Sequence, residues 1–108
     1  MSKTIHCVGC EGGIEALPES EIQARIAQYP DWRYDAGKRR LTKTIEFKGF
    51  LKTMSFVNAV AWMANREMHH PDLEVSFNRC IVHFQTHAVD GVTENDFICV
   101  EKVEALLE

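Results

Sequence analysis

The 108-residue sequence contains no apolar run close to the roughly 20 residues that span a bilayer. Its first letters, MSKTIHCVGCEGG, lack the apolar stretch on which a secretory signal depends. These absences argue against a membrane-spanning or an exported protein. We therefore expect a cytoplasmic protein with no membrane partner.

Basic charge is also scarce. Twelve Lys and Arg residues are set against sixteen Asp and Glu, and the net charge is -4 with His neutral. Nucleic-acid backbones are held mainly by Lys and Arg. The basic cluster at 38–40 follows Gly37 and is typical of a solvated turn. No direct nucleic-acid partner is expected.

Cysteine is too sparse for a disulfide framework. The four cysteines are Cys7, Cys10, Cys80 and Cys99. Without an export signal, reduced thiols are the expected state. Cys7-x-x-Cys10, next to His6, is typical of half a zinc knuckle or of a redox pair. A structural zinc site needs four ligands, and the other two cysteines form no second close pair, so we expect no resident metal or cofactor.

The remaining composition is that of one compact domain, with 45% apolar residues. Residues 1–17 contain three glycines and few large apolar groups, which predicts a flexible N-terminal arm. Residues 18–108 then carry regular patterns and are expected to form a single domain.

Those patterns predict seven elements. Ser20 is a candidate N-cap for a first helix that Pro30 ends. Residues 32–47 and 73–87 alternate like two hairpins. Between them, residues 49–68 form the strongest helical pattern. The order α-β-β-α-β-β-α predicts an α+β fold, an antiparallel sheet with helices on its apolar face.

Two of the helices carry more specific predictions. The long helix has an apolar stripe with a flanking apolar row beside it. In the last helix, Thr93 is a plausible N-cap that Asp96 answers in a loose capping box. The predicted stripe of the long helix is Phe50, Met54, Val57, Ala61 and Ala64, and the flanking row is Phe56, Val60 and Met63.

Two adjacent histidines, His69 and His70, precede Pro71 where the long helix is predicted to end. Neighbouring side chains point about 100° apart in a helix and to opposite faces in a strand, so neither brings two imidazoles together. Pro71 disfavours helical backbone at His70, which predicts a corner where both rings reach one hollow. His87, at the end of the predicted last strand, is expected beside this corner, at one end of the sheet's uncovered face.

Imidazole titrates near neutral pH, so two or three around one ligand can give a proton to one atom and accept one from another. Three histidines can also hold zinc, and a metal-binding protein is therefore the rival interpretation. A structural role is the ordinary explanation for a lone histidine such as His6 or His83. It explains an adjacent pair facing a third histidine less well.

The segments HHPD (69–72) and THAVDGVTENDF (86–97), with the aromatic Phe77 between them, resemble the pterin-4a-carbinolamine dehydratase family. The similarity extends upstream through DWRY, FKGF and the helix before His69, and it covers about residues 18–108. The resemblance implies a four-stranded antiparallel sheet with three helices on one face.

The resemblance also implies a reaction, the dehydration of 4a-hydroxytetrahydrobiopterin to quinonoid dihydropterin and water. This step recycles the cofactor of aromatic amino acid hydroxylases, such as phenylalanine hydroxylase, and needs no metal. By resemblance, His69 and His70 are the acid–base pair, and His87 helps to bind and orient the pterin. Which imidazole is the acid stays open. The residues expected to line the pocket are Met68, Pro71, Gln85, Thr86 and Ala88.

Two positions near the histidines leave alternatives open. Many family members have an acidic residue where this sequence has Asn65. Glu67 lies two positions before His69, and either reaches the site or is surface charge. Asp96 also matches a common family residue, and we interpret it as a helix cap.

The resemblance allows other roles. Animal members also act as dimerisation cofactors of a homeodomain transcription factor, so a non-catalytic protein-binding module is possible. Some relatives serve other pterin pathways, including molybdopterin metabolism. Family members form dimers and tetramers, and free sheet edges favour self-association. A homodimer or homotetramer is therefore expected.

Overall fold

The computed structural model describes residues 5–8 and 14–108. These residues form three α-helices and four β-strands in the predicted order. The elements are α1 (Glu19–Ile26), β1 (Arg33–Asp35), β2 (Arg40–Glu46), α2 (Phe50–Glu67), β3 (Asp72–Ser76), β4 (Arg79–Phe84) and α3 (Glu94–Leu106), with a 3-10 turn at His87–Val89.

The four strands form one antiparallel sheet in the order β1-β2-β4-β3. The α+β fold predicted from the sequence is therefore confirmed. Leu41 pairs with Phe84, and Leu73 pairs with Val82, so these apolar side chains share one face of the sheet. Between them, Thr42 pairs with His83 on the opposite face.

The core lies between the sheet and the helices. Burial of apolar surface here is the main stabilising contribution to the fold. Trp32 belongs to this core, and its indole Nε1–H donates to Glu104 at 2.9 Å. The core residues with no exposed surface are Leu41, Val60, Cys80, Val82, Phe84, Cys99, Val100 and Val103.

The first helix starts earlier than predicted. Pro18 occupies the N-cap, and its carbonyl accepts from the amides of Glu21 and Ile22 at 3.0 Å. Ser20 therefore lies inside the first turn, and no side chain caps this helix. The α-helix ends at Ile26, and a looser turn continues to Tyr29 before Pro30.

The buried side of α2 is the flanking row. Phe56, Val60 and Met63 are buried, while Phe50 is 53% exposed. Of the predicted stripe, Ala64 is buried, Met54 and Val57 are half-buried, and Phe50 and Ala61 are exposed. Both rows are apolar, so periodicity alone could not choose between them. The position of the sheet decides which row is covered.

The second hairpin is shorter than predicted. β3 begins at Asp72, the turn is at Phe77 and Asn78, and β4 ends at Phe84. His87 is therefore not on the last strand. It opens the 3-10 turn, because an isolated bridge between Thr86 and Gly91 folds the chain back after the sheet.

None of the helices in residues 5–8 and 14–108 is both long enough and apolar enough to cross a membrane.

Candidate active site

A hollow of about 190 Å³ lies at the end of the sheet. It is bounded by the corner after α2 and by the turn after β4. The side chains around it are Met68, His69, His70, Gln85, His87 and Ala88. The structure thus brings together all three predicted catalytic histidines and three of the five predicted pocket residues. Pro71 and Thr86 do not line the hollow, and Thr86 is almost fully buried.

The corner before the hollow is made by Met68. This residue has left-handed backbone (φ 54°), which is uncommon for any residue but glycine. The backbone amide of His69 donates a hydrogen bond to the carbonyl of Ala64, and the backbone amide of Met68 donates one to the carbonyl of Asn65. This pair of hydrogen bonds is the Schellman pattern of a helix end. The left-handed Met68 therefore ends α2 just before the two histidines.

His69 is the anchored member of the pair. Its side chain is only 6% exposed, and its Nε2–H donates to Asp96 Oδ1 at 2.7 Å. The ring lies nearly parallel to Phe84, with 6.3 Å between the ring centres. Phe84 belongs to the helix-covered face, so the predicted location on the uncovered face was wrong for His69. With Nε2 bonded to Asp96, Nδ1 is the ring nitrogen left for a ligand.

Asp96 is fully buried and accepts three hydrogen bonds. Besides His69, its donors are the Thr86 hydroxyl at 2.8 Å and the Thr93 amide at 2.9 Å, both to Oδ2. The Thr93 hydroxyl, 2.7 Å from that of Thr86, accepts from the Asn95 amide. The predicted capping box of α3 is therefore confirmed. A buried carboxylate with three donors is held in one orientation.

The partnership of Asp96 with His69 was missed at the sequence level. The spacing from Thr93 to Asp96 predicts a cap, and the cap uses only one carboxylate oxygen. Nothing in that spacing shows that the other carboxylate oxygen of Asp96 contacts His69, which follows the end of α2. The contact depends on how α3 lies against the corner after α2.

The other wall of the hollow is the turn that carries His87 and Ala88. The β1–β2 turn braces it, because the Arg39 side chain donates to both the carbonyl and the carboxylate of Asp90. The Gln85 amide also donates to the Lys38 carbonyl at 2.9 Å. The basic cluster predicted to be a plain solvated turn therefore supports the wall of the hollow.

His70 and His87 are both exposed. Within the described ranges, no three His, Cys, Asp or Glu side chains are arranged to hold a metal ion. The three imidazoles line the hollow without that arrangement. In these positions the imidazoles can exchange protons with a ligand in the hollow.

Glu67 lies behind the site. Its carboxylate, 4% exposed, accepts from the Cys7 amide and from His6 Nδ1–H, each at 2.7 Å, and Lys102 Nζ is 3.4 Å away. Burial alone would raise the pKa of Glu67, but the Cys7 amide, His6 and Lys102 hold that pKa below its ordinary value. Glu67 is thus not surface charge and does not line the hollow that holds the three histidines, and Asn65 is exposed.

Comparisons with known proteins agree with this geometry. The family model described as pterin 4 alpha carbinolamine dehydratase matches residues 15–106. A protein of Legionella pneumophila strain Corby, named provisionally as a pterin-4-alpha-carbinolamine dehydratase, is 48% identical over 103 residues. That match covers 94% of this chain and 91% of the relative. A similarly named protein of Nitrosospira multiformis is 45% identical over 105 residues, covering 97% and 91%.

Solved structures show the same fold. The crystal structure of a transcriptional coactivator/pterin dehydratase from Brucella melitensis has a TM-score of 0.81 and 30% identity, and the match covers 85% of this chain and 98% of that one. A pterin dehydratase-like protein described as a RuBisCO assembly factor of the alpha-carboxysome has a TM-score of 0.62 at 19% identity, covering 70% and 88%, a likeness of fold alone. By its family match and its close relatives, this chain belongs to the pterin 4 alpha carbinolamine dehydratase family.

Proposed function

We propose that this protein dehydrates a 4a-hydroxytetrahydropterin to the quinonoid dihydropterin by histidine acid–base catalysis. The observation that carries the proposal is the hollow shared by His69, His70 and His87. Membership of the family supports the substrate class. The physiological substrate we propose is 4a-hydroxytetrahydrobiopterin, formed when an aromatic amino acid hydroxylase uses its cofactor.

The reaction requires two proton transfers. The bond between C4a and the hydroxyl oxygen breaks, and an acid protonates that oxygen so that it leaves as water. The N5–H bond breaks, a base accepts the proton, and its electron pair forms the double bond between C4a and N5. Two groups of near-neutral proton affinity on different sides of one ligand suit this task.

His69 is the better-supported base. Its Nε2–H is held by the buried carboxylate of Asp96. A carboxylate in that position fixes the tautomer and stabilises the imidazolium that forms when Nδ1 accepts a proton. This places Asp96 as a positioning residue that acts through His69.

His70 and His87 are proposed as the acid and as the group that orients the pterin. Both are exposed at the mouth of the hollow, where they can exchange protons with water between turnovers. Met68 and Ala88 supply apolar surface beside them, and Gln85 is restrained by its bond to the Lys38 carbonyl. A flat heterocycle can therefore lie between the two walls.

The test is an assay of 4a-hydroxytetrahydropterin loss, with the substrate generated in situ by a phenylalanine hydroxylase. His70→Ala and His87→Ala are compared with His6→Ala, which removes an imidazole from outside the hollow. We expect wild type to exceed the spontaneous rate, the two site variants to lose about 100-fold in kcat/KM, and His6→Ala to retain activity. A chelator should change nothing.

A wild-type rate equal to the spontaneous rate would refute the dehydratase proposal. Equal losses in all three variants would refute the assignment of the site. Activity that falls with the chelator and returns with zinc would favour the rival metal interpretation. Circular dichroism of each variant separates loss of the fold from loss of the site.

Self-association is proposed on separate grounds. On the outer side of α2, Leu51 is 80% exposed and Trp62 is 70% exposed, and Phe77 beside the β3 edge is 68% exposed. Exposed apolar side chains of this size favour contact with another protein surface. We expect a homodimer or homotetramer to cover these side chains. Light scattering compares the molecular mass in solution of wild type with that of Trp62→Glu.

A further inference from the structure

The N-terminal segment, residues 5–8, is fastened to the back of the site. The Cys7 amide donates to Glu67 Oε1 at 2.7 Å. The backbone amide of Val8 donates to Asn95 Oδ1 at 3.0 Å, and Asn95 Nδ2 donates to the carbonyl of Val8 at 2.7 Å. Glu67 and Asn95 are both buried. These contacts hold the N-terminal segment in one position on α2 and α3.

That position brings two thiols together. Cys7 Sγ lies 3.7 Å from Cys99 Sγ and 3.6 Å from the Asn95 carbonyl. Both cysteines are free. The two residues are 92 positions apart in the chain, so their proximity is a product of the fold. Nothing in the proposed dehydratase chemistry uses either thiol.

The two thiols differ in access. Cys99 is fully buried in α3, while Cys7 is partly exposed. The hydrogen bond with Cys7 and burial both raise the pKa of the Cys99 thiol far above its ordinary value. Cys7 is thus the sulfur that a dissolved oxidant meets first, because it is the more exposed of the two. Cys99 lies behind Cys7, where it can serve as the second thiol of an exchange reaction.

We propose that Cys7 and Cys99 are a disulfide-forming site that ties the N-terminal segment to α3. The Sγ–Sγ distance must close from 3.7 Å to about 2.05 Å. The N-terminal segment has neither helix nor strand structure, so its backbone can shift without breaking a ladder of hydrogen bonds. The bridge would lie against Asn95, the neighbour of Asp96.

The step balances with a small-molecule disulfide, such as oxidised glutathione, as the oxidant. Cys7 loses its proton and attacks one sulfur of the oxidant, whose S–S bond breaks and releases one thiol. Cys99 then loses its proton, attacks Cys7 Sγ, and releases the second thiol as the protein bridge forms. The protein gives up two electrons and two protons, and the oxidant leaves as two reduced thiols.

The experiment incubates the full chain with an excess of oxidised glutathione, blocks the remaining thiols and digests the protein after glutamate without reduction. Cleavage at Glu11, Glu94 and Glu101 isolates residues 1–11 from residues 95–101. Wild type should give these two peptides joined, with a mass two hydrogens below their sum once the blocking group on Cys10 is counted. Reduction should separate them.

Matched variants assign the bond. Cys10→Ser should keep the joined peptide, while Cys7→Ser and Cys99→Ser should lack it. The oxidised wild type should also melt at least about 5 °C above the reduced form, because a long loop is closed in the unfolded chain. Cys7→Ser should show no such difference. Since Cys99 is buried and its replacement can impair folding, Cys7→Ser is the decisive variant.

Three results would overturn the proposal. The first is an internal bridge within residues 1–11 that Cys10→Ser abolishes. The second is a glutathione adduct on Cys7 that never progresses to the joined peptide. The third is a joined peptide that persists in Cys7→Ser. None of these readouts depends on dehydratase activity, so the outcome is independent of the proposed function.

Discussion

The front and the back of the junction between α2 and α3 use neighbouring residues for different purposes. On the front, His69 and Asp96 meet beside the hollow. On the back, Glu67 and Asn95 hold residues 6–8. All four residues are buried and hydrogen-bonded. Their different partners show that one buried junction can support the candidate site on one side and a fastened chain segment on the other.

The geometry of the helix makes this division possible. Successive residues of a helix point about 100° apart, so Asn95 and Asp96 reach different sides of α3. At the end of α2, the left-handed Met68 reverses the chain between Glu67 and His69. Changes on the front should therefore alter turnover, and changes on the back should alter stability.

The largest expected effect is that of His69→Ala compared with Glu67→Gln. Loss of the front imidazole should lower kcat at least about 100-fold, because a proton-transfer group is removed. Glu67→Gln, two residues away, should keep kcat within about threefold of wild type. Steady-state kinetics with in situ substrate measures both. If Glu67→Gln lost as much activity as His69→Ala, the separation of front and back would be wrong.

The next effect compares Asp96→Asn with Thr93→Ala, two changes to the same capping box. Asp96→Asn should lower kcat at least about tenfold with little change in KM, because the amide cannot hold the His69 imidazolium as a carboxylate does. Thr93→Ala removes the cap hydroxyl but leaves the His69 contact. It should cost about 1 kcal/mol in the free energy of unfolding and leave kcat nearly unchanged.

Kinetics and thermal melts of both variants make this second comparison. A kcat loss of the same size in Thr93→Ala would mean that Asp96 acts only through the fold. Partial return of kcat in Asp96→Glu would support a charge-based positioning role.

The third comparison concerns the back, where the effect is on stability and depends on pH. The folded pKa of Glu67 is below its ordinary value of 4.5. The ionised carboxylate therefore stabilises the folded state fully above pH 4.5, and this contribution is lost as pH falls through the lowered folded pKa. Glu67→Gln should cost about 1–3 kcal/mol in the free energy of unfolding at pH 7. That deficit should shrink on acidification.

Denaturant unfolding of wild type and Glu67→Gln from pH 7 down to pH 3 measures this difference. Comparing the two proteins at each pH cancels the titration of other carboxylates, such as Glu94, whose pKa the Arg25 guanidinium also lowers. A deficit that stays constant with pH would show that Glu67 contributes through packing rather than through its charge.

Much of the site could be predicted from local pattern. The corner at His69 and His70, the cap at Thr93 and the return of the chain near His87 all follow from short-range signals that lie within a few residues. Most of the predictions that were wrong concern the residue at which an element begins or ends. Pro18 rather than Ser20 occupies the N-cap of α1, and His87 lies on a turn because β4 ends three residues earlier than predicted.

By itself, the sequence determined the order of elements, the α+β class and the gathering of three histidines at one end of the sheet. Alternation, helical periodicity and capping act over a few residues, and local chemistry is enough to specify them. The tertiary structure alone decided that Asp96 meets His69, that Glu67 turns to His6 and Cys7, and that Cys7 lies beside Cys99. Those contacts join distant parts of the chain, and only the packing of α3 against the end of α2 brings them within hydrogen-bonding distance.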